Sequence, residues 1–146
     1  MTVTEFLQTK VPFLSGIDNE QARTLAVAAE QLNCRAGQTV LFQGVTVEGL
    51  HVVALGKVSV WVKPSKSRSA VEVAQLGPGE VFGETSIIEM GTAGATVKAD
   101  QDETLIFVIP QDVFHAVLDQ HPEIRARAEA LIAARRKPSA PGKPAA

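Results

Sequence analysis

Residues 76–88, with the sequence LGPGEVFGETSII, hold the groups best suited to binding a ligand. The first four have turn chemistry, because proline presets one φ angle and glycine accepts a positive one. Gly83 lets the backbone bend sharply and approach a neighbour closely. Glu84, Thr85 and Ser86 begin a predicted short helix, whose unpaired N–H groups and dipole attract an anion. The stretch is therefore suited to a phosphate, with the Glu84 carboxylate free to accept a hydrogen bond from a sugar hydroxyl.

The same residues also have a plain structural interpretation. Glycine followed by a helical turn can simply form a tight corner between two strands. Glu84 suits the first turn of a helix on account of the dipole alone. Thr85 and Ser86 either cap that helix, which is the simpler interpretation, or donate hydrogen bonds to a ligand.

Residues 77–84, GPGEVFGE, resemble the phosphate-binding cassette of the cyclic nucleotide-binding domain family. That family includes the sensor domains of catabolite activator proteins, protein kinase A regulatory subunits and cyclic-nucleotide-gated channels. Residues 36–44 resemble its second-strand signature, and residues 55–58 its glycine hairpin. The resemblance covers about residues 5–136. It implies the fold of the family, cAMP or cGMP as the ligand, and a last helix that closes over the bound base and carries the signal.

One feature of the family is missing from this chain. Counting from Gly83, the family's Pro-Arg pair, whose arginine binds the cyclic phosphate, falls on Thr92 and Ala93. The next basic residue is Lys98, which strand alternation directs to the opposite face, toward solvent. The resemblance implies a phosphate and ribose site at Gly83, Glu84, Thr85, Ser86, Ala93, Ala95 and Thr96. It implies a pocket wall and lid at Val71, Val73, Phe82, Glu129 and Leu131.

The elements that must position these residues are short strands. Residues 58–63 and 71–74 alternate in character with period two, which is the strand period. Residues 95–99 and 104–109 give two further strands, separated by an acidic turn. Many short strands at regular spacing indicate a closed sandwich or barrel. We therefore predict an α+β, mainly β fold, in which an eight-stranded jelly-roll (double-stranded β-helix) barrel carries N-terminal helices, a short cassette helix and two C-terminal helices.

The predicted helices lie at both ends of the chain. Residues 2–9 suit a short helix, and Asp18 with Gln21 makes a capping box for a second helix that runs to about Leu32. Its predicted buried stripe is Ala22, Leu25, Ala29 and Leu32. Pro110 and Pro122 open two C-terminal helices, the last of which runs to about Lys137. The apolar stripes predicted for these two are Val113, Phe114, Val117 and Leu118, then Ile124, Ala128 and Leu131.

Composition bounds the class of protein. The 146 residues suit one domain, predicted at residues 1–137, with residues 138–146 as a disordered Pro/Ala tail. A net charge of −2 recommends neither nucleic acid nor an anionic membrane as a partner. No apolar run is long enough to span a membrane, and the N-terminus is no signal peptide. A single cysteine, Cys34, excludes an internal disulfide and favours the cytoplasm.

Two functions compete at this point. The first is a regulatory sensor that binds cAMP, cGMP or a related ligand weakly and signals through its last helix. The second is a degenerate domain of the same fold that binds no cyclic nucleotide and serves in protein–protein contact or homodimerisation. We expect no enzyme and no cofactor other than the nucleotide, because the sequence shows no acid pair, nucleophile–base pair or metal cluster. The three histidines, His51, His115 and His121, are scattered and are interpreted as packed or surface residues.

Overall fold

The computed structural model describes residues 2–63, 69–83 and 93–136, apart from the side chains of residues 135 and 136. The described helices are α1 (Val3–Thr9), α2 (Asn19–Ala28), α3 (Gln111–Gln120) and α4 (Pro122–Arg136), with a 3₁₀ turn at Pro12–Leu14. The strands are β1 (Glu30–Cys34), β2 (Thr39–Leu41), β3 (Gly49–Leu55), β4 (Val58–Val62), β5 (Val71–Leu76), β6 (Val81–Phe82), β7 (Thr96–Ala99) and β8 (Thr104–Pro110). Among these residues, no helix is both long and apolar enough to cross a membrane.

The eight predicted strands are confirmed, and they form two antiparallel sheets. Their orders are β1-β8-β3-β6 and β2-β7-β4-β5. The pairs β1/β8, β2/β7, β3/β6 and β4/β5 place the second half of the chain alongside the first. The described helices contain about as many residues as the strands, so the fold is mixed α and β rather than mainly β.

An apolar cluster lies between the two sheets, and we call it the inter-sheet cluster. Each sheet contributes three buried members: Val53, Phe82 and Ile106 from the first, and Val58, Leu76 and Val97 from the second. Burying an aliphatic or aromatic side chain of this size contributes about 1.5–3 kcal/mol. This cluster therefore holds the sheets face to face.

A larger cluster, the helix-side cluster, lies on the other face of the first sheet. Side chains alternate along β3, so Leu50 and Val52 face the helices while Val53 faces the second sheet. The helices bury their apolar residues against Leu50, Val52 and Phe107; these residues include Leu7, Leu25, Phe114, Leu118, Ile124 and Ala128. The first sheet is thus covered on both faces, as strands with nearly continuous apolar sequence require.

Helix α2 begins as predicted and ends earlier than predicted. The Asp18 carboxylate accepts from the Gln21 N–H at 2.8 Å, and the Gln21 side chain accepts from the Asp18 N–H at 3.3 Å. The helix stops at Ala28, because the chain turns extended and β1 pairs with β8, where Leu32 lies opposite Ile106. Extension to Leu32 was therefore wrong: sheet pairing overrides helical spacing there.

Two smaller expectations are also corrected. The simple alternation predicted for residues 71–74 is broken by a register shift, since Ala74 pairs with Val60 but Glu72 pairs with Trp61. A bulge of this kind inserts one residue and resets the faces of a strand. In α4 the fully covered stripe is Ile124, Ala128 and Ile132, while Leu131 is half-buried. The spacing of four residues keeps that stripe on one helix face.

The turn before β6 is fastened to two neighbours. The Gly79 N–H donates to the Val53 carbonyl at 2.8 Å, and the Val53 N–H donates to the Glu80 carbonyl at 2.9 Å. Gly79 has φ +90°, and a Cβ built on it would collide with the carbonyl oxygen of Lys10, the residue that ends α1. The turn therefore needs glycine for conformation and for space.

We expect Gly79→Ala to destabilise the protein more than Gly37→Ala does. Gly37 has a similar φ of +86° but open space around the added methyl group, so it isolates the conformational cost of roughly 1–2 kcal/mol. The collision with Lys10 forces a backbone shift that adds about 1–3 kcal/mol. Urea unfolding of the two variants measures the difference, and equal losses would contradict the packing described for this turn.

Candidate functional site

The predicted ligand-binding segment enters the fold through β6. Phe82 pairs with His51 and Val81 with Val52, so β6 lies beside the first half of β3. Gly83 follows with φ +88°. A Cβ there would lie 3.2 Å from the Gly49 carbonyl oxygen and 3.3 Å from Nδ1 of His51. Both contacts are tight, so glycine lets the chain leave β6 close against β3.

The described chain resumes at Ala93, whose N–H and carbonyl groups both form hydrogen bonds. The Ala93 N–H donates to the Val45 carbonyl and the Gly44 N–H donates to the Ala93 carbonyl, both at 2.8 Å. The Ala93 side chain is 4% exposed and belongs to the helix-side cluster, which also contains Val47. At the position where the family's arginine is predicted to fall, this chain therefore has a small buried apolar group.

Three of the predicted ligand-binding residues, Glu84, Thr85 and Ser86, lie outside the described residues. Ala95 is half-buried, and the hydroxyl oxygen of Thr96 accepts a hydrogen bond from the Gln43 N–H at 2.9 Å. That bond connects β7 to the segment after β2. Gly83 thus marks one end of the predicted site and Ala93 with Thr96 the other, where main-chain hydrogen bonds hold Ala93 and the hydroxyl bond holds Thr96.

The nearest basic residue beyond Ala93 does not face the inter-sheet space. Val97 belongs to the inter-sheet cluster, while Lys98 lies on the outer face of the sheet with its ammonium 5.1 Å from the centre of the Trp61 ring. The indole N–H of Trp61 donates to Ser59 Oγ at 2.8 Å. The outward placement of Lys98 is therefore confirmed, with its charge over an aromatic ring.

The predicted pocket wall and lid lie in different surroundings. Phe82 is buried in the inter-sheet cluster, whereas Val71 pairs with Val62 and is 41% exposed. Val73 falls at the register shift of β5 and is half-buried. In α4, Leu131 packs against the helix-side cluster and Glu129 is exposed. A lid role for these two residues stays a prediction.

His51, which sequence reasoning interpreted as a packed or surface residue, lies packed beside the start of the predicted ligand-binding segment. It is 6% exposed, and its ring stacks on Phe82 with centroids 4.7 Å apart. Its Nδ1 lies 3.0 Å from the Gly49 carbonyl oxygen. Burial lowers the pKa of this imidazole to about 4, with a smaller opposing effect from the Gly49 hydrogen bond. A polar residue within the apolar run of β3 was the available signal.

The described residues contain no group of three or more His, Cys, Asp or Glu side chains placed to share a metal ion. A separate cavity of about 460 Å³ lies between α1 and the first sheet, lined mainly by apolar residues including Phe6, Leu55 and Phe107. None of the predicted ligand-binding residues lines it.

Comparisons with known proteins agree with this geometry. The cyclic nucleotide-binding domain family matches residues 31–121. The cyclic AMP receptor protein of Thermus thermophilus is 31% identical over 68% of this chain and 45% of its own length. Lysophospholipase nte1 of Neosartorya fischeri is 30% identical over 74% of this chain and only 7% of that protein.

A solved structure is also similar. The regulatory subunit of a cAMP-independent protein kinase A from Trypanosoma brucei matches with a TM-score of 0.78 and 25% identity, over 88% of this chain and 46% of that one. The chain thus spans less than half the length of each of these relatives. Because the family match covers more than half of the chain and contains both ends of the predicted site, the chain belongs to the cyclic nucleotide-binding domain family.

Proposed function

We propose that this domain is a regulatory sensor, which binds cAMP, cGMP or a related ligand weakly between its two sheets and signals through α4. One observation supports the proposal: the backbone is held in place at Gly83 and at Ala93, the two described ends of the predicted ligand-binding segment. The chain leaves β6 at Gly83, tight against β3, and returns at Ala93, hydrogen-bonded to residues 44 and 45. The nine intervening residues keep Glu84 and the hydroxyls of Thr85 and Ser86.

Weak binding is expected because the site lacks a full positive charge at position 93. A charge-assisted hydrogen bond contributes about 1.5–3 kcal/mol, and truncating one side of a buried charge pair costs about 2–5 kcal/mol. At about 1.4 kcal/mol per decade, affinity falls between roughly 10-fold and more than 1,000-fold. Backbone N–H groups and the start of the predicted cassette helix are left to bind the phosphate.

The strand pairing supports the jelly-roll form of the fold. Each strand in the first half pairs with its counterpart in the second half, which is the arrangement of a long hairpin folded into two sheets. We infer a jelly roll on this basis. The ligand space then lies between the sheets, where Phe82 and His51 meet beside Gly83.

The attachment of α4 supports its role as the signalling element. The Arg127 guanidinium donates to the Phe13 carbonyl at 3.1 Å and to the Ser15 carbonyl at 2.7 Å. Ile124 and Ala128 add apolar contacts to the helix-side cluster. A helix held by a few contacts at the edge of a fold can shift its equilibrium position when a ligand prefers one arrangement.

The second function, a degenerate domain without cyclic nucleotide binding, is favoured by one observation. Ala93 is buried among apolar side chains, where the family's arginine would stand. The similar regulatory subunit from Trypanosoma brucei belongs to a cAMP-independent protein kinase A. A protein partner or a second copy of the domain would then replace the nucleotide.

We propose a binding role and no catalytic step for this domain. The lysophospholipase relative is an enzyme, but the chain matches only 7% of it. The free thiol of Cys34 is buried, and burial raises its pKa, so it suits packing in a reducing compartment such as the cytoplasm.

We expect Ala93→Arg to raise affinity for cAMP or cGMP at least about 10-fold over wild type, because it restores a charge-assisted bond to the phosphate. Calorimetric titration of both proteins with both nucleotides measures this. Ala93→Gln is the matched control, since it adds length and polarity without charge, and thermal unfolding checks that each variant folds.

The possible results separate the two functions. Saturable wild-type binding supports the sensor and contradicts the degenerate domain. If only Ala93→Arg binds nucleotide, the site has kept its shape but lacks the positive charge that binds the phosphate. That result favours the degenerate domain. No heat from either protein at millimolar nucleotide would contradict nucleotide sensing.

We expect Arg127→Ala to destabilise the attachment of α4 by about 1–2 kcal/mol, because two hydrogen bonds from a charged donor are lost. Arg125→Ala is the control on the same helix. Its ion pair with Asp119, at 3.1 Å, joins two largely exposed side chains and contributes under about 1 kcal/mol. Hydrogen exchange along α4 compares them, and equal protection in the two variants would contradict the role given to Arg127.

A further inference from the structure

His121 lies at the junction of three helices. It is the residue between α3 and α4, and its side chain is 16% exposed. Its Nδ1 lies 2.8 Å from Oε1 of Glu123, which is in the first turn of α4. Its Nε2 contacts Oε1 of Gln21, whose side chain belongs to the capping box at the start of α2. The ring therefore joins the start of α4 to the start of α2.

Both oxygens that the ring nitrogens meet are hydrogen-bond acceptors. The Asp18 N–H donates to Gln21 Oε1 at 3.3 Å, and because a main-chain N–H can only donate, this atom of the Gln21 amide is its oxygen. The Gln21 amide nitrogen donates in turn to Oε1 of Gln120 at 3.1 Å. Hydrogen bonds from its own N–H and from His121 lower the pKa of the Glu123 carboxyl, so near neutral pH it is ionised and only accepts.

Only the charged form of the ring can donate to both acceptors. An imidazolium has two N–H groups, whereas a neutral imidazole has one N–H and one nitrogen lone pair. When His121 loses its proton, one of its two hydrogen bonds is therefore replaced by two acceptors that face each other. Because folding places both acceptors at the ring, the folded state favours the proton. The stability that this contact contributes is present at acidic pH and is lost as the pH rises.

Among the described residues, Glu123 is the charged group bonded to the ring. The other charged residues in the cap and first turn of α2, the last turn of α3 and the first two turns of α4 are Asp18, Glu20, Asp119, Arg125 and Arg127. Asp119 pairs with Arg125 at 3.1 Å, and Arg127 donates to two main-chain carbonyls of the segment before α2. The proton of His121 therefore decides how many of its two contacts are hydrogen bonds.

We propose that His121 is a proton-dependent positioning residue for α4, whose charged ring bonds the start of α4 to the capping box of α2 and whose neutral ring keeps only one of the two bonds. Histidine is the side chain that ordinarily changes charge between pH 5 and 8. Acidity is then an input to the attachment of α4. The contact needs no nucleotide, so the inference goes beyond the proposed function and can fail independently of it.

Amide hydrogen exchange of the ligand-free protein tests this proposal. Protection of residues 124–128 in α4, corrected for intrinsic exchange, is measured in wild type and in His121→Gln at about pH 5.5 and about pH 8, which bracket the histidine range. We expect the ratio of wild-type to variant protection to be about 3- to 10-fold larger at the lower pH, the equivalent of one partly exposed charged hydrogen bond. His51, which stays neutral in the fold down to about pH 4, is common to both proteins and cancels in the ratio.

Two further substitutions make the test specific. His115→Gln on α3 is the matched control, because no hydrogen bond or ion pair joins His115 to another described residue, and its ratio to wild type should not change with pH. Glu123→Gln replaces the carboxylate with an amide, which can rotate to meet either form of the ring. In that background the effect of His121→Gln should lose its dependence on pH.

The outcomes are distinct. A wild-type to His121→Gln ratio that is equal at both pH values would overturn the inference, as would a pH dependence that persists in the Glu123→Gln background. If His121→Gln fails to fold, Glu123→Gln alone carries the test, since it changes a half-exposed side chain. Its ratio to wild type should show the same pH dependence, and a constant ratio would overturn the inference.

Discussion

The close approach of Gly83 to the start of β3 is the constraint on which the candidate site depends. A Cβ at Gly83 would lie within 3.3 Å of the Gly49 carbonyl oxygen, Val47 and His51, and its φ of +88° is one that other residues rarely adopt. That contact fixes where the segment after β6 begins. Because β3 lies at the centre of its sheet, between β8 and β6, the entry to the site is tied to the most heavily buried part of the fold.

The site that results is defined by backbone groups more than by charge. Of its described ends, Gly83 has no room for a side chain beside β3 and Ala93 is held by main-chain hydrogen bonds, while the nearby Lys98 lies over Trp61 on the outer face. In the binding site that we propose, main-chain N–H groups and the predicted cassette helix would bind an anion, at lower strength than an arginine does. The buried imidazole of His51 adds a neutral polar group where the family resemblance gave no reason to expect one.

Much of the fold could be predicted from local sequence, because local contacts determine those features. The Asp18–Gln21 capping box involves residues three apart, and the turn before β6 needs glycine for its own geometry. Features determined by distant partners could not be predicted in this way. The end of α2 depends on pairing between β1 and β8, and the register shift in β5 depends on its pairing with β4.

The same distinction between local and distant contacts applies to the candidate site. The glycine cassette and the missing arginine are visible as a motif and a departure from it. The burial of His51 against Phe82 is not, because the two residues lie more than 30 positions apart in the sequence. A histidine within an apolar strand signals a buried polar group, but only the paired strand shows which space it faces.

The most direct test of the central claim is a two-dimensional ¹H–¹⁵N NMR titration of the wild-type protein with cAMP. The account predicts saturable shifts of the amide signals of Gly83, His51 and Ala93, followed by smaller changes along α4. Shifts confined to the cavity beside α1, at residues such as Phe6 and Lys10, would contradict it. A spectrum unchanged at millimolar cAMP, and again at millimolar cGMP, would contradict it equally.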